Sequence, residues 1–211
     1  MTSFYTYLSS PVDWCEPNFT HSGWIAEWWN TLSSFIILLV GYMGVKTARG
    51  KNNEQILKQL SVCVSFIGLG SVWFHATLSF GGQFADEVSI LILLFILLNR
   101  FYRWSKMVVF ILVMIAFTGM CLFPWWNHLE LMLLGFLTVR QFRLRLANGA
   151  PSSSAWILRL ALWIFFLAVA SWGIDHLCLT QRFSFHALWH VLIGITAYLG
   201  LYWLGESILP L

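Results

Sequence analysis

His186 and His190 stand four residues apart in FHALWH, at the start of a long apolar run. Positions i and i+4 share a face of a helix, so both imidazoles can turn toward one metal ion. The same spacing also suits one capping and one packed residue. His75, in GSVWFHATLSF (residues 70–80), supplies a third imidazole. Three histidines with a fourth position open to water are the donor set of a catalytic zinc. Ser71 lies four residues before His75, on the same face. Its hydroxyl can donate to a substrate oxygen or simply pack between helices. Asp86, in QFADEVSI (83–90), falls in the first turn of the next span. A carboxylate there can take a proton from water and return it to a leaving group. Favourable placement at a helix N-terminus is the other account of Asp86 and Glu87.

A second group is made of oxygen donors. Asp13, Glu16 and Asn18 in DWCEPN, with Glu27 in AEWWN, lie within one short segment. Hard oxygen ligands on a turn suit calcium, although the spacing is not that of an EF-hand loop. A solvated acidic turn with one helix-capping Glu accounts for the same residues. WGIDHLC (172–178) carries Asp175 and His176, either of which could orient a ligating imidazole. Four cysteines without CxxC spacing argue against a thiolate metal site. Cys15 and Cys178 both belong to the non-cytoplasmic side assigned below, where disulfides can form.

The elements that must position these residues are membrane helices. Of 211 residues, 59% are hydrophobic and 10% charged, against about 25% charged in a soluble domain. This composition excludes a disordered chain, a coiled coil and a nucleic-acid binder, and its solvent is lipid. Thirteen Trp and eighteen Phe suit aromatic belts at the two interfaces. Seven stretches, near 24–46, 58–79, 84–103, 106–123, 125–146, 156–177 and 184–205, can each span the bilayer. The fourth and fifth are separated mainly by Pro124. The expected fold is an all-α seven-transmembrane helix bundle. It forms one domain over 1–211, with 1–23 as a short non-cytoplasmic segment carrying the acidic turn. That segment has no basic n-region and no long apolar run, so no cleavable signal peptide is expected.

Charge sets the orientation. Eleven of the twelve basic residues, Lys46 through Arg159, fall on one side of the spans, and only Arg182 on the other. The positive-inside rule places the N-terminus outside or lumenal and the C-terminus in the cytoplasm. Asp13, Glu16, Glu27, Asp86, Glu87, Glu130 and Asp175 gather on the non-cytoplasmic side with all six histidines. Vacated loops explain Asp13 and Glu16. They do not explain ionisable groups beside apolar runs, which are costly at membrane depth and mark function.

DWCEPN with AEWWNTLSS, GSVWFHATLSF with QFADE, WGIDHLC, and FHALWHVLIG together resemble the motif series of the alkaline ceramidases. These belong to a superfamily of seven-span hydrolases that includes the adiponectin- and progestin-type receptors. The resemblance runs in order over about residues 12–199. It implies zinc on His75, His186 and His190, with Asp86 as acid/base and Ser71 assisting. It implies calcium, structural or regulatory, on Asp13, Glu16, Asn18, Glu27 and the Trp14 carbonyl. It also implies a disulfide between Cys15 and Cys178. This chain departs from the animal members in a compact 79–84 loop.

The function expected is a zinc-dependent intramembrane amidase that splits ceramide into a sphingoid base and a fatty acid. The partners expected are the bilayer and its ceramide-like lipid, with no nucleic acid and no obligatory protein. The membrane would be a bacterial inner membrane, or the endoplasmic reticulum or Golgi, with the site in the non-cytoplasmic leaflet. Two rivals stand beside it: a hydrolase of another lipid amide or ester, and a seven-span receptor or sensor with structural zinc. A fourth protein ligand would favour the second. A transporter fits poorly, because the ionisable groups do not cross the membrane.

Overall fold

The computed structural model describes residues 4–51, 53–123, 126–148, 152–181 and 183–206. Pro124 and Arg182, used above, lie outside them. Among the described residues seven helices follow one another: α1 (Trp28–Thr47), α2 (Glu54–Thr77), α3 (Phe80–Tyr102), α4 (Lys106–Leu122), α5 (Trp126–Ala147), α6 (Ser152–His176) and α7 (Phe185–Glu206). Each apolar stretch becomes one helix, and some displaced ends have local causes. α1 starts at Trp28 rather than near 24. Glu27 is held extended there, its N–H bonded to the His75 carbonyl at 3.0 Å. α2 gains a turn at its start, where Lys58 pairs with Glu54.

α3 starts at Phe80, with the Ser79 hydroxyl accepting from the Gly82 N–H at 3.2 Å. Asp86 therefore sits in the second turn of α3, not in the first as expected from sequence. No acidic residue occupies the first turn. Helix-end electrostatics fade within one turn, so that account of Asp86 and Glu87 falls away.

Among the described residues, α1, α2, α3, α6 and α7 are long and apolar enough to cross a membrane. This is the make-up of a multi-pass membrane protein. α4 has 17 residues, about 25 Å of rise. α5 carries His128 and Glu130 near one end and Arg140, Arg143 and Arg145 near the other.

α1 packs along α2 and α7, α2 along α3, and α6 along α7, while α5 lies mainly against α3. Helices in lipid associate through close van der Waals fit, which small residues permit. A Cβ at Gly41 would come within 2.4 Å of the Ser65 backbone nitrogen, so only glycine lets α1 and α2 meet there. At one end of the bundle, Trp203 and Leu204 pack on Leu57, Leu60 and Leu158. Lys51 and Glu206 pair above that core at 2.5 Å.

The polar residues gather at the opposite end, under the N-terminal segment. That segment caps the last carbonyls of α2, groups with no partner inside the helix. Leu8 N–H bonds to Thr77 O at 3.0 Å, Ser10 N–H to Leu78 O at 2.9 Å and Ala26 N–H to Ala76 O at 2.9 Å. A Cys15–Cys178 disulfide joins the segment to the turn after α6.

Candidate metal centre and active site

α2 brings His75, and α7 brings His186 and His190, to one buried point. One ring nitrogen of each lies within 4.8 Å of the others. The ring centroids are 4.9, 4.8 and 4.6 Å apart. Each ring is held differently. His75 Nδ1 lies 2.5 Å from Glu27 Oε2, which leaves Nε2 buried without a partner. His190 Nδ1 lies 2.8 Å from the Ser33 hydroxyl, and its Nε2 is 3.4 Å from Ser71 Oγ. His186 stacks on Trp14, with centroids 3.7 Å apart, and its Nδ1 is buried without a partner.

Asp175 sets His186 through the main chain. Its Oδ1 accepts from the His186 N–H at 3.0 Å, and its Oδ2 from the Cys15 N–H at 3.1 Å. His176 does not reach the three rings; it stacks on Trp172.

A buried polar atom without a partner costs about 1–3 kcal/mol. One cation would answer both such nitrogens in this three-imidazole cluster. Neutral nitrogen donors in threes fit zinc. Among the described residues no carboxylate or thiolate joins the three histidines as a further ligand.

Ser71 stands beside this cluster. Its Oγ is 2.9 Å from Ser34 Oγ, and its hydroxyl also faces the Asp86 carboxyl. Gly70 makes that approach possible. A Cβ there would meet the Asp86 backbone nitrogen at 2.7 Å, so any side chain would push α3 away from α2. Glu87 turns elsewhere, with its Oε1 accepting from Gln83 Nε2 at 3.0 Å. Of the two acids, Asp86 alone faces Ser71.

The acidic turn is folded around Trp14. The Glu27 carboxylate, assigned above with the calcium donors, lies on His75 and also accepts from the Trp14 N–H at 3.1 Å. Glu16 caps α1 from outside the helix, accepting from the Trp29 and Asn30 N–H groups at 2.7 and 2.9 Å. Asn18 Nδ2 contacts both Asp13 carboxylate oxygens at 3.3 Å, and its Oδ1 is buried without a partner. Burial pushes the Glu16 carboxyl above the usual glutamate range, and Glu27 adds to this, while the two N–H donors oppose it. Burial raises Glu27 as well, with Asp13 and Asp175 pushing the same way.

Ser33, Ser34 and the Trp14 ring were not singled out by motif spacing. NTLSS does place Asn30, Ser33 and Ser34 three and four residues apart on one face of α1. That face becomes recognisable as part of the site only once α1 is seen beside α7.

A model of the ceramidase family matches residues 6–207 of this chain. The chain is 32% identical over 218 residues to alkaline ceramidase 1 of Mus musculus, across 93% of this chain and 79% of that protein. It is 31% identical over 220 residues to alkaline ceramidase 1 of Homo sapiens, across 93% and 82%. It is 31% identical over 237 residues to the alkaline ceramidase of Drosophila melanogaster, across 96% and 80%.

Proposed function

Because this chain belongs to the ceramidase family, we propose that it hydrolyses the amide bond of ceramide at the His75, His186 and His190 cluster. The products are a sphingoid base and a free fatty acid. The observation that carries this reading is three buried imidazoles, with unpartnered ring nitrogens on His75 and His186, beside a Ser71–Asp86 pair.

Zinc held by His75, His186 and His190 would polarise the carbonyl and lower the pKa of the attacking water. The chain's own groups do the rest. Ser71 donates its hydroxyl hydrogen to the carbonyl oxygen as negative charge builds there. Asp86 takes one proton from the attacking water. It returns that proton to the amide nitrogen, the C–N bond breaks, and the amine leaves. The water oxygen remains on the acyl carbon, giving the fatty acid. A bundle surrounded by lipid receives the acyl chain sideways from the bilayer, so the substrate never crosses water.

In this reading all seven helices cross the membrane, N-terminus outside, with the site in the non-cytoplasmic leaflet. The charge asymmetry of the sequence supports it. Calcium on Asp13, Glu16, Asn18, Glu27 and the Trp14 carbonyl is the second metal. Its support is the buried, unpartnered Asn18 Oδ1 among carboxylates. Its role would be to hold the loop that presses Trp14 against His186 and Glu27 against His75.

The test is ceramide turnover by purified protein in detergent, with metal analysis of the same sample. Release of fatty acid and sphingoid base with one zinc per chain, both lost in His190→Ala, is the expected result. One zinc without release would sink the ceramidase reading and favour another lipid amide or a receptor. Release that survives complete zinc removal would sink the metal assignment.

A further inference from the structure

Ser33 and Ser34 of α1 touch the two sides of the site at once. Both hydroxyls donate to the Asn30 carbonyl, at 3.0 and 2.7 Å. A hydroxyl has one hydrogen, so each serine oxygen meets its next neighbour as an acceptor. For Ser33 that neighbour is His190 Nδ1 at 2.8 Å, and for Ser34 it is Ser71 Oγ at 2.9 Å. Ser33 therefore fixes the hydrogen of His190 on Nδ1 and leaves the Nε2 lone pair free. Ser34 thereby accepts the Ser71 hydrogen and holds the Ser71 oxygen beside the histidines until a substrate oxygen draws that hydrogen away.

Asn30 is locked in turn. Its N–H donates to Glu16 Oε2 at 2.9 Å, and its Oδ1 accepts from the Ser184 hydroxyl at 2.7 Å, next to the start of α7. Asn30, Ser34, Ser71 and His190 are buried, so water does not compete for these bonds.

We infer that the α1 serine pair is a positioning device for the reaction, with Ser33 orienting the ligand His190 and Ser34 orienting Ser71. This rests on the three histidines being the metal site. The two serines have separable tasks. Outer partners of ligating histidines change metal affinity by about 10–100-fold when removed, so Ser33 acts on zinc binding. Ser34 touches no ligand that Ser33 does not already hold more closely, since its distance to His190 Nδ1 is 3.4 Å. It acts on turnover through Ser71.

The experiment measures zinc affinity by competition with a chromogenic chelator, and separately kcat and KM for ceramide at saturating zinc. Ser33→Ala is expected to weaken zinc binding about 10–100-fold, with Ser33→Thr restoring it. Ser34→Ala is expected to keep wild-type zinc affinity and lower kcat about tenfold with little change in KM. In a Ser71→Ala background Ser34→Ala should cost nothing further, because coupled residues are not additive. Wild-type affinity in Ser33→Ala, or an undiminished Ser34→Ala effect without the Ser71 hydroxyl, overturns the inference. Absence of zinc binding in the wild type refutes the underlying metal reading instead, so the two failures are distinct. Thermal unfolding of the metal-free variants identifies misfolding, and the Thr variant keeps the Ser33 arm decisive if Ala misfolds.

Discussion

Glu27 Oε2 lies 2.5 Å from His75 Nδ1, and neither side chain reaches solvent. The contact joins a loop residue ahead of α1 to a ring near the end of α2. With Glu27 as a carboxylate, the contact puts the His75 hydrogen on Nδ1 and leaves Nε2, buried without a partner, in a ring packed against His186 and His190. Carboxylate partners of this kind orient a ligating ring and raise its basicity. Glu27→Gln keeps the shape and can still accept one hydrogen bond, so it should lower zinc affinity about tenfold, and Glu27→Ala should approach 100-fold. Chelator competition reads both. Calcium added back should not restore zinc affinity in Glu27→Ala if the contact with His75 is the cause.

The histidines themselves should show a steeper response. His75→Ala, His186→Ala and His190→Ala should each abolish stoichiometric zinc at micromolar free metal. Zinc added to the wild type should raise its unfolding temperature, because a ligand that binds only the folded state stabilises it. A variant that folds, keeps one zinc per chain and responds like the wild type would remove that histidine from the ligand set.

Asp86→Asn and Ser71→Ala should separate chemistry from metal binding. Both should keep full zinc content. Asp86→Asn should lose at least about 10²-fold in turnover, the scale of general acid–base catalysis. Ser71→Ala should lose about 10²–10³-fold if its hydroxyl stabilises the oxyanion. Wild-type kcat in Asp86→Asn would assign the proton transfers to another group.

Gly70 carries no chemistry, yet Gly70→Ala should impair turnover. The added Cβ would lie 2.7 Å from the Asp86 backbone nitrogen, and backbone cannot give way as a flexible side chain can. Overpacking typically costs about 1–3 kcal/mol, and here it also moves the base. Turnover should fall further than stability, measured as kcat against unfolding temperature.

The Cys15–Cys178 bridge closes a sequence separation of 163 residues. Removing a native disulfide typically costs about 2–5 kcal/mol. Cys15→Ser and Cys178→Ser should each lower the unfolding temperature, and the double variant should be no worse than either single. Cys15 follows Trp14, which stacks on His186, so the single variants should also weaken zinc binding. Additive losses in the double variant would show two independent thiols.

The histidine spacing, the all-helical character and the gathering of acids and imidazoles on one side are legible in the sequence, because they depend on local periodicity and composition. FHALWH places two rings on one face of any helix it forms. The partners of those rings are another matter. Glu27 and His75 are 48 residues apart, and Ser33 and His190 are 157 apart. Such contacts exist only after α1 has packed between α2 and α7. For the same reason the acidic turn could be read only as a group of oxygen donors, and the contacts of Glu27 with His75 and of Glu16 with the start of α1 appear only in the fold. The second-turn position of Asp86 follows from a two-residue α2–α3 connection with Ser79 as the cap, and its approach to α2 from Gly70. Residue types determined what chemistry was available, and long-range packing decided which atoms face one another.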